Sequence, residues 1–120
     1  MYHNHAFEFK NVDGECVWDH ITNTIPAEIM GLTVDTHWVA TGERDIIETL
    51  KSVKNRIPCV HFKDTVIVGE ERRFAPVGHG ILDFESIIKV FLFALFYKEQ
   101  NGNEMSDEQS EYMKNLIEKI

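Results

Sequence analysis

The feature that most constrains the fold is an alternation of β-rich and helical stretches along the chain. Runs of strand-like composition lie at residues 1–10, 31–39 and 56–64. The segment between the first two runs is interpreted as helical or irregular, and residues 44–55 show apolar residues at helical spacing. Each strand and its following helix take about 30 residues, as in a βαβ unit. Because strands joined through a helix run parallel, the pattern predicts an α/β fold with a parallel sheet.

The stretch from residue 70 onward is predicted to hold a loop, a turn and a helix. Residues 70–73, two glutamates followed by two arginines, are interpreted as a polar loop with solvated charges, and the glycine-punctuated segment 76–84 as a turn. The segment 84–95 is a helix candidate with Asp83 as its N-cap. The nearly continuous apolar run 87–97 is shorter than the ~20 residues of a membrane-spanning helix and is therefore assigned to a buried helix or strand.

Composition supports one globular domain over residues 1–120. A hydrophobic content of 43%, with 11% aromatic residues, is enough for a core, and the net charge of −8 with scattered basic residues argues against nucleic-acid binding. Cys16 and Cys59 are isolated thiols, which argues against a disulfide scaffold or a zinc ribbon. Because no signal peptide is recognisable and a reducing compartment is the default for such thiols, a cytoplasmic protein is expected.

Ionisable residues gather near the end of each predicted strand. Side chains two apart on a strand share a face, and the carboxyl ends of parallel strands are where α/β folds place their ligands. Each run therefore contributes one same-face pair to a single mouth: His3 with His5, Asp35 with His37, and His61 with Lys63. Burying so many unpaired polar groups would be costly unless a metal ion or a substrate satisfied them.

Several of these residues also have ordinary structural interpretations. A single histidine in a strand is more often a hydrogen-bonded core or rim residue than a metal ligand. Lys63 and Asp64 are adjacent and are interpreted as a salt bridge. Glu8 lies just past the first predicted strand and could either cap a helix or contact a substrate.

Four motifs carry a resemblance to a known family. They are, in chain order, "YHNHAFEF", "VDTHWVATG", "RIPCVHFKD" and "VGHGILDF". Together they resemble the sugar phosphate isomerase/epimerase family of xylose-isomerase-like TIM barrels, which includes inosose dehydratases and hydroxypyruvate isomerases. The resemblance implies a partial TIM barrel, the C-terminal half, with about four βα units corresponding to strands five to eight. The "HNH" triplet also names a nuclease motif, but this region lacks the ββα-metal setting of that motif.

The resemblance also implies a divalent metal site. One ligand would come from each of four strands, which assigns the metal to His3, Asp35, His61 and Glu99. Imidazole and carboxylate donors suit Mn²⁺, Co²⁺, Zn²⁺ or Fe²⁺. The segment 83–99 is shorter than a helix, a turn and an eighth strand require, so either the strand is abbreviated or one helix continues to Glu99.

The activity implied by the resemblance is proton transfer next to a carbonyl. A metal-dependent isomerase or epimerase would act on a sugar or polyol ketone through an enediolate. Glu99 would remove the proton, while His5, His37 and Lys63 would position hydroxyls or protonate the intermediate. The His-x-His at the first strand also keeps an inosose-dehydratase-like lyase open.

A different class of function competes with the enzyme. The chain could be a truncated, non-catalytic remnant that binds metal and needs a partner chain. An open half-barrel exposes sheet edges that pair readily with another chain. Two copies could close a barrel as a homodimer, or a separate N-terminal half-barrel chain could complement this one. The apolar run 87–97 would suit such an interface.

Overall fold

The computed structural model describes residues 1–99, apart from the side chains of 95–99, and positions 108, 111 and 115. The strands are β1 (Tyr2–His3), β2 (Asn11–Val12), β3 (Glu15–Cys16), β4 (Leu32–Asp35), β5 (Cys59–His61), β6 (Asp64–Val68) and β7 (Glu71–Ala75). The helices are α1 (Val17–Thr24), α2 (Thr36–Thr41), α3 (Ile46–Ser52) and α4 (Phe84–Glu99).

A parallel sheet in the order β1-β4-β5 forms the centre of the fold. The middle strand β4 is buried along its whole length, and Leu32 and Val34 are fully inaccessible. Helices α1, α2 and α3 connect the three strands, and Trp18 of α1 and Leu50 of α3 lie in the same core. The predicted α/β fold with a parallel sheet is therefore confirmed.

The parallel strands are shorter than the β-rich runs that predicted them. Strand β1 ends at His3 and is followed by a 3₁₀ turn at Phe7–Phe9, so His5 lies beyond the strand. Strand β4 ends at Asp35, which caps α2 by accepting the backbone N–H of Trp38. His37 therefore lies in a helix, and its predicted same-face pairing with Asp35 on a strand is wrong.

Residues 64–75 form an antiparallel hairpin where the sequence predicted a polar loop around 70–73. Strand β6 pairs with β7 along five positions, from Asp64 opposite Ala75 to Val68 opposite Glu71. The chain reverses at Gly69, whose φ of +64° is a conformation that glycine adopts without strain. The charges were misinterpreted because one face of the hairpin is exposed, which lets charged residues occupy a strand.

The turn at 76–83 is held by the buried carboxylate of Asp64. Its Oδ2 accepts the backbone N–H of Gly78 at 3.0 Å and of Gly80 at 2.9 Å, and its Oδ1 accepts that of Leu82 at 3.2 Å. The predicted salt bridge between Lys63 and Asp64 is thus wrong, because the buried Asp64 carboxylate accepts backbone N–H groups of the turn instead.

We expect Gly80→Ala to lower the free energy of unfolding by about 2–4 kcal/mol. A Cβ at Gly80 would overlap the Asp64 carboxylate and the Thr65 carbonyl oxygen, so the turn would have to move. Urea denaturation measures the loss. Gly31→Ala is the control, because a Cβ there meets only ordinary contacts at 3.5 Å or more and should cost little. Equal stabilities for the two variants would contradict this account of the turn.

Helix α4 begins where the sequence predicted and continues to Glu99. Asp83 accepts the backbone N–H and the hydroxyl of Ser86, which confirms it as the N-cap. Phe84 and Ile87 of α4 are buried and belong to the hydrophobic core. The predicted fourth strand is not seen in the described part of the chain, which holds three parallel strands, so a half-barrel of four βα units is not confirmed. Nor do the described residues include a helix with the length and apolar character that crossing a membrane requires.

Candidate metal centre

Three side chains that carry potential metal-ligand atoms converge at the carboxyl ends of the parallel strands. His3 ends β1, Asp35 ends β4 and His61 ends β5, and each offers a ligand atom within 4.8 Å of the other two. The strand register explains the convergence, because Asp35 lies directly opposite His61 and His3 lies opposite Thr33, two residues earlier in β4. The structure thus brings together three of the four ligands that the sequence predicted.

Asp35 is the centre of this cluster and is fully buried. Its Oδ2 lies 3.0 Å from His3 Nε2, 3.6 Å from His61 Nδ1 and 2.7 Å from Lys63 Nζ. Burial acts to raise the pKa of Asp35, but hydrogen bonds from Lys63, His3 and the Trp38 N–H outweigh it and hold the pKa below its ordinary value. The carboxylate is therefore ionised at neutral pH.

Asn4 fixes the ends of β1 and β4 to each other, a role that the sequence did not reveal. It is fully buried, and its Oδ1 accepts the backbone N–H of Asp35 at 2.8 Å. Its Nδ2 lies 3.5 Å from the backbone oxygen of Asp35. One signal for this role was available in the sequence. Asn4 lies between His3 and His5, so on a strand its side chain points to the opposite face from theirs.

Glu8 neither caps a regular α-helix nor faces the cluster. It is fully buried, with Oε1 accepting the Tyr2 hydroxyl at 2.7 Å and Oε2 accepting the His5 N–H at 2.9 Å. Burial, followed by the hydrogen bond to Glu8, raises the pKa of Tyr2 to about 12. Glu8 thereby holds the loop that carries His5.

The residues predicted to handle protons and hydroxyls are placed differently. His5 is exposed, and its ring lies 5.0 Å from that of His3. Lys63 reaches Asp35 directly. His37 is buried, with Nδ1 2.9 Å from the Thr65 hydroxyl and Nε2 3.4 Å from that of Thr41. Burial lowers the pKa of His37, which favours the neutral ring. Its predicted role in handling protons or hydroxyls stays a prediction.

Glu99 is the last residue of α4. This geometry corresponds to the alternative in which one helix runs on through the segment, rather than to an abbreviated eighth strand. The side chain of Glu99 lies outside the described side chains. Its predicted roles as the fourth ligand and as the base remain predictions.

The three donors suit a divalent ion of borderline character. Two imidazole nitrogens and one ionised carboxylate oxygen match the ligands that Zn²⁺, Co²⁺, Mn²⁺ and Fe²⁺ accept, and they leave coordination positions for a substrate. Among the described side chains, Lys63 would oppose binding of an ion. Its ammonium contacts Oδ2, the Asp35 atom that an ion would share with His3 and His61.

The fold is similar to that of two solved structures. Both are crystal structures of a sugar phosphate isomerase/epimerase from Parabacteroides distasonis ATCC 8503 at 1.70 Å resolution, and each matches with a TM-score of 0.63. This chain has the fold of part of a sugar phosphate isomerase/epimerase. The match covers 78% of this chain and 33% of the solved chain, with 24% sequence identity. No protein-family model matches the sequence, and no curated protein matches it.

The likeness confirms the resemblance that the four sequence motifs predicted. This chain spans about a third of the length of the structures that it matches. At this level of identity the similarity establishes the fold.

Proposed function

We propose that this chain carries the metal-binding part of a sugar phosphate isomerase/epimerase that moves a proton next to the carbonyl of a sugar or polyol ketone. The observation that supports this most strongly is the convergence of His3, Asp35 and His61 at the strand ends. In parallel α/β folds, that edge of the sheet is where ligands bind and chemistry occurs.

Each residue of the cluster has a distinct part in the proposal. His3, Asp35 and His61 would hold a divalent ion, which would supply Lewis-acid polarisation of the substrate carbonyl when bound. Lys63 brings a cation that can pair with a substrate oxygen once it leaves Asp35. His5, exposed beside His3, can hold or move a proton at a ring nitrogen. Glu99 is the proposed base for the carbon-bound proton.

A second candidate is a metal-binding chain that becomes active only with the rest of a barrel. It is favoured by the sheet itself, since β1 and β5 each have a strand neighbour on one side only among the described residues. Such edges present unpaired N–H and C=O groups that another strand can complete. The partner would be a second copy or a complementing N-terminal half-barrel chain, and light scattering with and without the candidate partner distinguishes the two.

Cobalt binding tests the metal centre without requiring a known substrate. We expect the wild-type chain to bind about one Co²⁺, and His61→Ala to weaken binding by about 100-fold, because losing a ligand costs at least as much as losing an outer-shell partner. Isothermal titration measures both. His20→Ala is the control, since His20 pairs with Glu15 on the surface. Unchanged affinity in His61→Ala, or an equal loss in His20→Ala, would refute the site.

Lys63→Met is expected to raise the affinity for Co²⁺ by about tenfold. The ammonium and a divalent ion compete for Asp35 Oδ2, so removing the ammonium leaves the carboxylate to the metal. Without metal the same variant should melt at a lower temperature, because Asp35 loses its counter-charge in a buried position. Melting curves with and without Co²⁺ measure both effects.

Lys51→Met is the matched control for this prediction. Lys51 forms an exposed pair with Glu48, away from the cluster, so neither Co²⁺ affinity nor the metal-dependent shift in melting temperature should change. If Lys63→Met bound Co²⁺ no better than the wild type, Lys63 would not be a competitor for the site.

A further inference from the structure

Two aromatic side chains border the cluster of His3, Asp35 and His61. We call Trp38 and Phe74 the aromatic shelf. Their rings meet edge to face with centroids 5.6 Å apart, and the Trp38 ring lies 5.5 Å from that of His5. Phe74 is 55% exposed although it is a large apolar residue on a strand. Trp38 is half-buried. An aromatic pair with one exposed and one half-buried ring beside a cluster of polar ligand atoms is typical of a binding site rather than of a core.

The shelf is held in place from behind. Trp38 lies in the first turn of α2, and its backbone N–H donates a hydrogen bond to Asp35 Oδ1. This bond ties the residue that carries the indole ring to the cluster. Phe74 lies opposite Thr65 in the hairpin, and the Thr65 hydroxyl bonds to His37 Nδ1. The His37 ring in turn packs against Phe74, with centroids 4.1 Å apart. The buried His37 therefore packs against Phe74, while more than half of the Phe74 surface stays exposed.

Contacts of Lys63 show that the aromatic shelf lies close to the cluster. Its Nζ lies 4.9 Å from the centroid of the Phe74 ring and 2.7 Å from Asp35 Oδ2. One ammonium group therefore contacts both features at once. A ligand of monosaccharide size could rest on the shelf while its oxygens reached the cluster.

We propose that Trp38 and Phe74 form a stacking subsite for the apolar face of a six-membered sugar or polyol ring. A pyranose with equatorial hydroxyls presents axial C–H groups on each face, which pack against an aromatic ring, while its edge carries the oxygens. An open-chain polyol has no such face. The inference rests on the proposed function, since the ion at His3, Asp35 and His61 is the second anchor, and it goes further by naming six-membered rings as the preferred substrate class. A cyclic polyol ketone keeps its carbonyl in the ring, whereas a pyranose bound on the shelf must open before its carbonyl is available.

Tryptophan fluorescence tests the subsite. The chain has two tryptophans, so Trp18→Phe, a conservative change in the core, leaves Trp38 as the sole reporter. The Co²⁺-loaded protein is titrated with methyl β-D-glucopyranoside, a locked ring, and separately with sorbitol, an open chain of six carbons. We expect the ring compound to change the Trp38 emission with saturation and to bind about fivefold more tightly than sorbitol.

Variants on the hairpin separate stacking from general damage. Phe74→Ala should weaken binding of the glycoside about fivefold and leave sorbitol unchanged. Phe74→Leu keeps apolar bulk without an aromatic face and should show most of the same loss, which protects the test if the alanine variant unfolds the hairpin. Ile67→Ala is the control, because Ile67 is 56% exposed on the paired strand and does not belong to the shelf.

The outcomes distinguish the subsite from the metal centre. Co²⁺ binding combined with equal affinities for the two polyols, or with no loss in Phe74→Ala and Phe74→Leu, overturns the subsite and leaves the proposed function standing. Failure of the wild-type chain to bind Co²⁺, together with equal affinities for the two compounds, overturns both. A glycoside preference that survives without Co²⁺ would show that the shelf binds rings independently of the ion and would remove the metal as the second anchor.

Discussion

Asp35→Asn is expected to weaken Co²⁺ binding by about 1,000-fold. Among the side chains that the structure describes, Asp35 is the only carboxylate in the cluster, and its Oδ2 is the atom on which His3, His61 and Lys63 converge. Asparagine keeps the shape of the side chain and an oxygen that can cap α2, but it lacks the charge that makes carboxylate oxygen a strong ligand. Isothermal titration with Co²⁺ measures the loss.

The control for this variant is Asp45→Asn. Asp45 caps α3 at an exposed position by accepting the N–H of Glu48, and asparagine caps helices equally well, so Co²⁺ binding should be unchanged. Near-UV circular dichroism checks that Asp35→Asn keeps its tertiary packing. An affinity within a few-fold of the wild type in a folded Asp35→Asn protein would show that the ion, if bound, is held elsewhere.

Asp64→Ala is expected to cost about 3–5 kcal/mol of unfolding free energy. The change leaves four backbone N–H groups without their acceptor: those of Thr65, Gly78, Gly80 and Leu82. Asp64 is fully buried, so water replaces the carboxylate only if the turn opens. Urea denaturation at pH 7 measures the loss, and Asp83→Ala, which removes an exposed helix cap, should cost much less.

Asp64 should also make the free energy of unfolding depend on pH in the acidic range. Burial acts to raise the pKa of Asp64, but the four N–H donors outweigh it and hold the pKa below its ordinary value. Since the folded pKa is lower than the unfolded value of about 3.9, the stabilisation is fully present above pH ~5 and is lost as the pH falls toward the folded pKa. The difference between wild type and Asp64→Ala should therefore shrink below pH ~4. A difference that stayed constant down to pH 2 would contradict this role.

Much of the sheet and part of the cluster could be predicted from local sequence. Strands β4 and β5 follow from short apolar, β-branched runs, and α3 follows from its helical spacing. The cap at Asp83 follows from its residue type and its place before an apolar run. His3, Asp35 and His61 could be grouped because each ends a run, and parallel strands bring their ends to one edge of the sheet.

Which of two neighbouring side chains faces the cluster could not be predicted from sequence. Lys63 and Asp64 are adjacent, yet one pairs with Asp35, 28 residues earlier, while the other binds N–H groups from a turn 14 to 18 residues later. His37 was assigned to a strand because Asp35 was not recognised as a helix cap. These outcomes depend on where each strand stops, and that is set by contacts between distant segments.

The sequence by itself determined the alternation of the parallel strands with helices and the residues able to bind a metal, because both depend on residue type and spacing along the chain. Only the tertiary structure decided that Lys63 pairs with Asp35, that Asn4 joins two strand ends, and that Trp38 and Phe74 border the cluster. The physical reason is that hydrogen bonds and ring contacts are short-ranged, so partners far apart in sequence are chosen only when the sheet and the hairpin place them within a few ångströms.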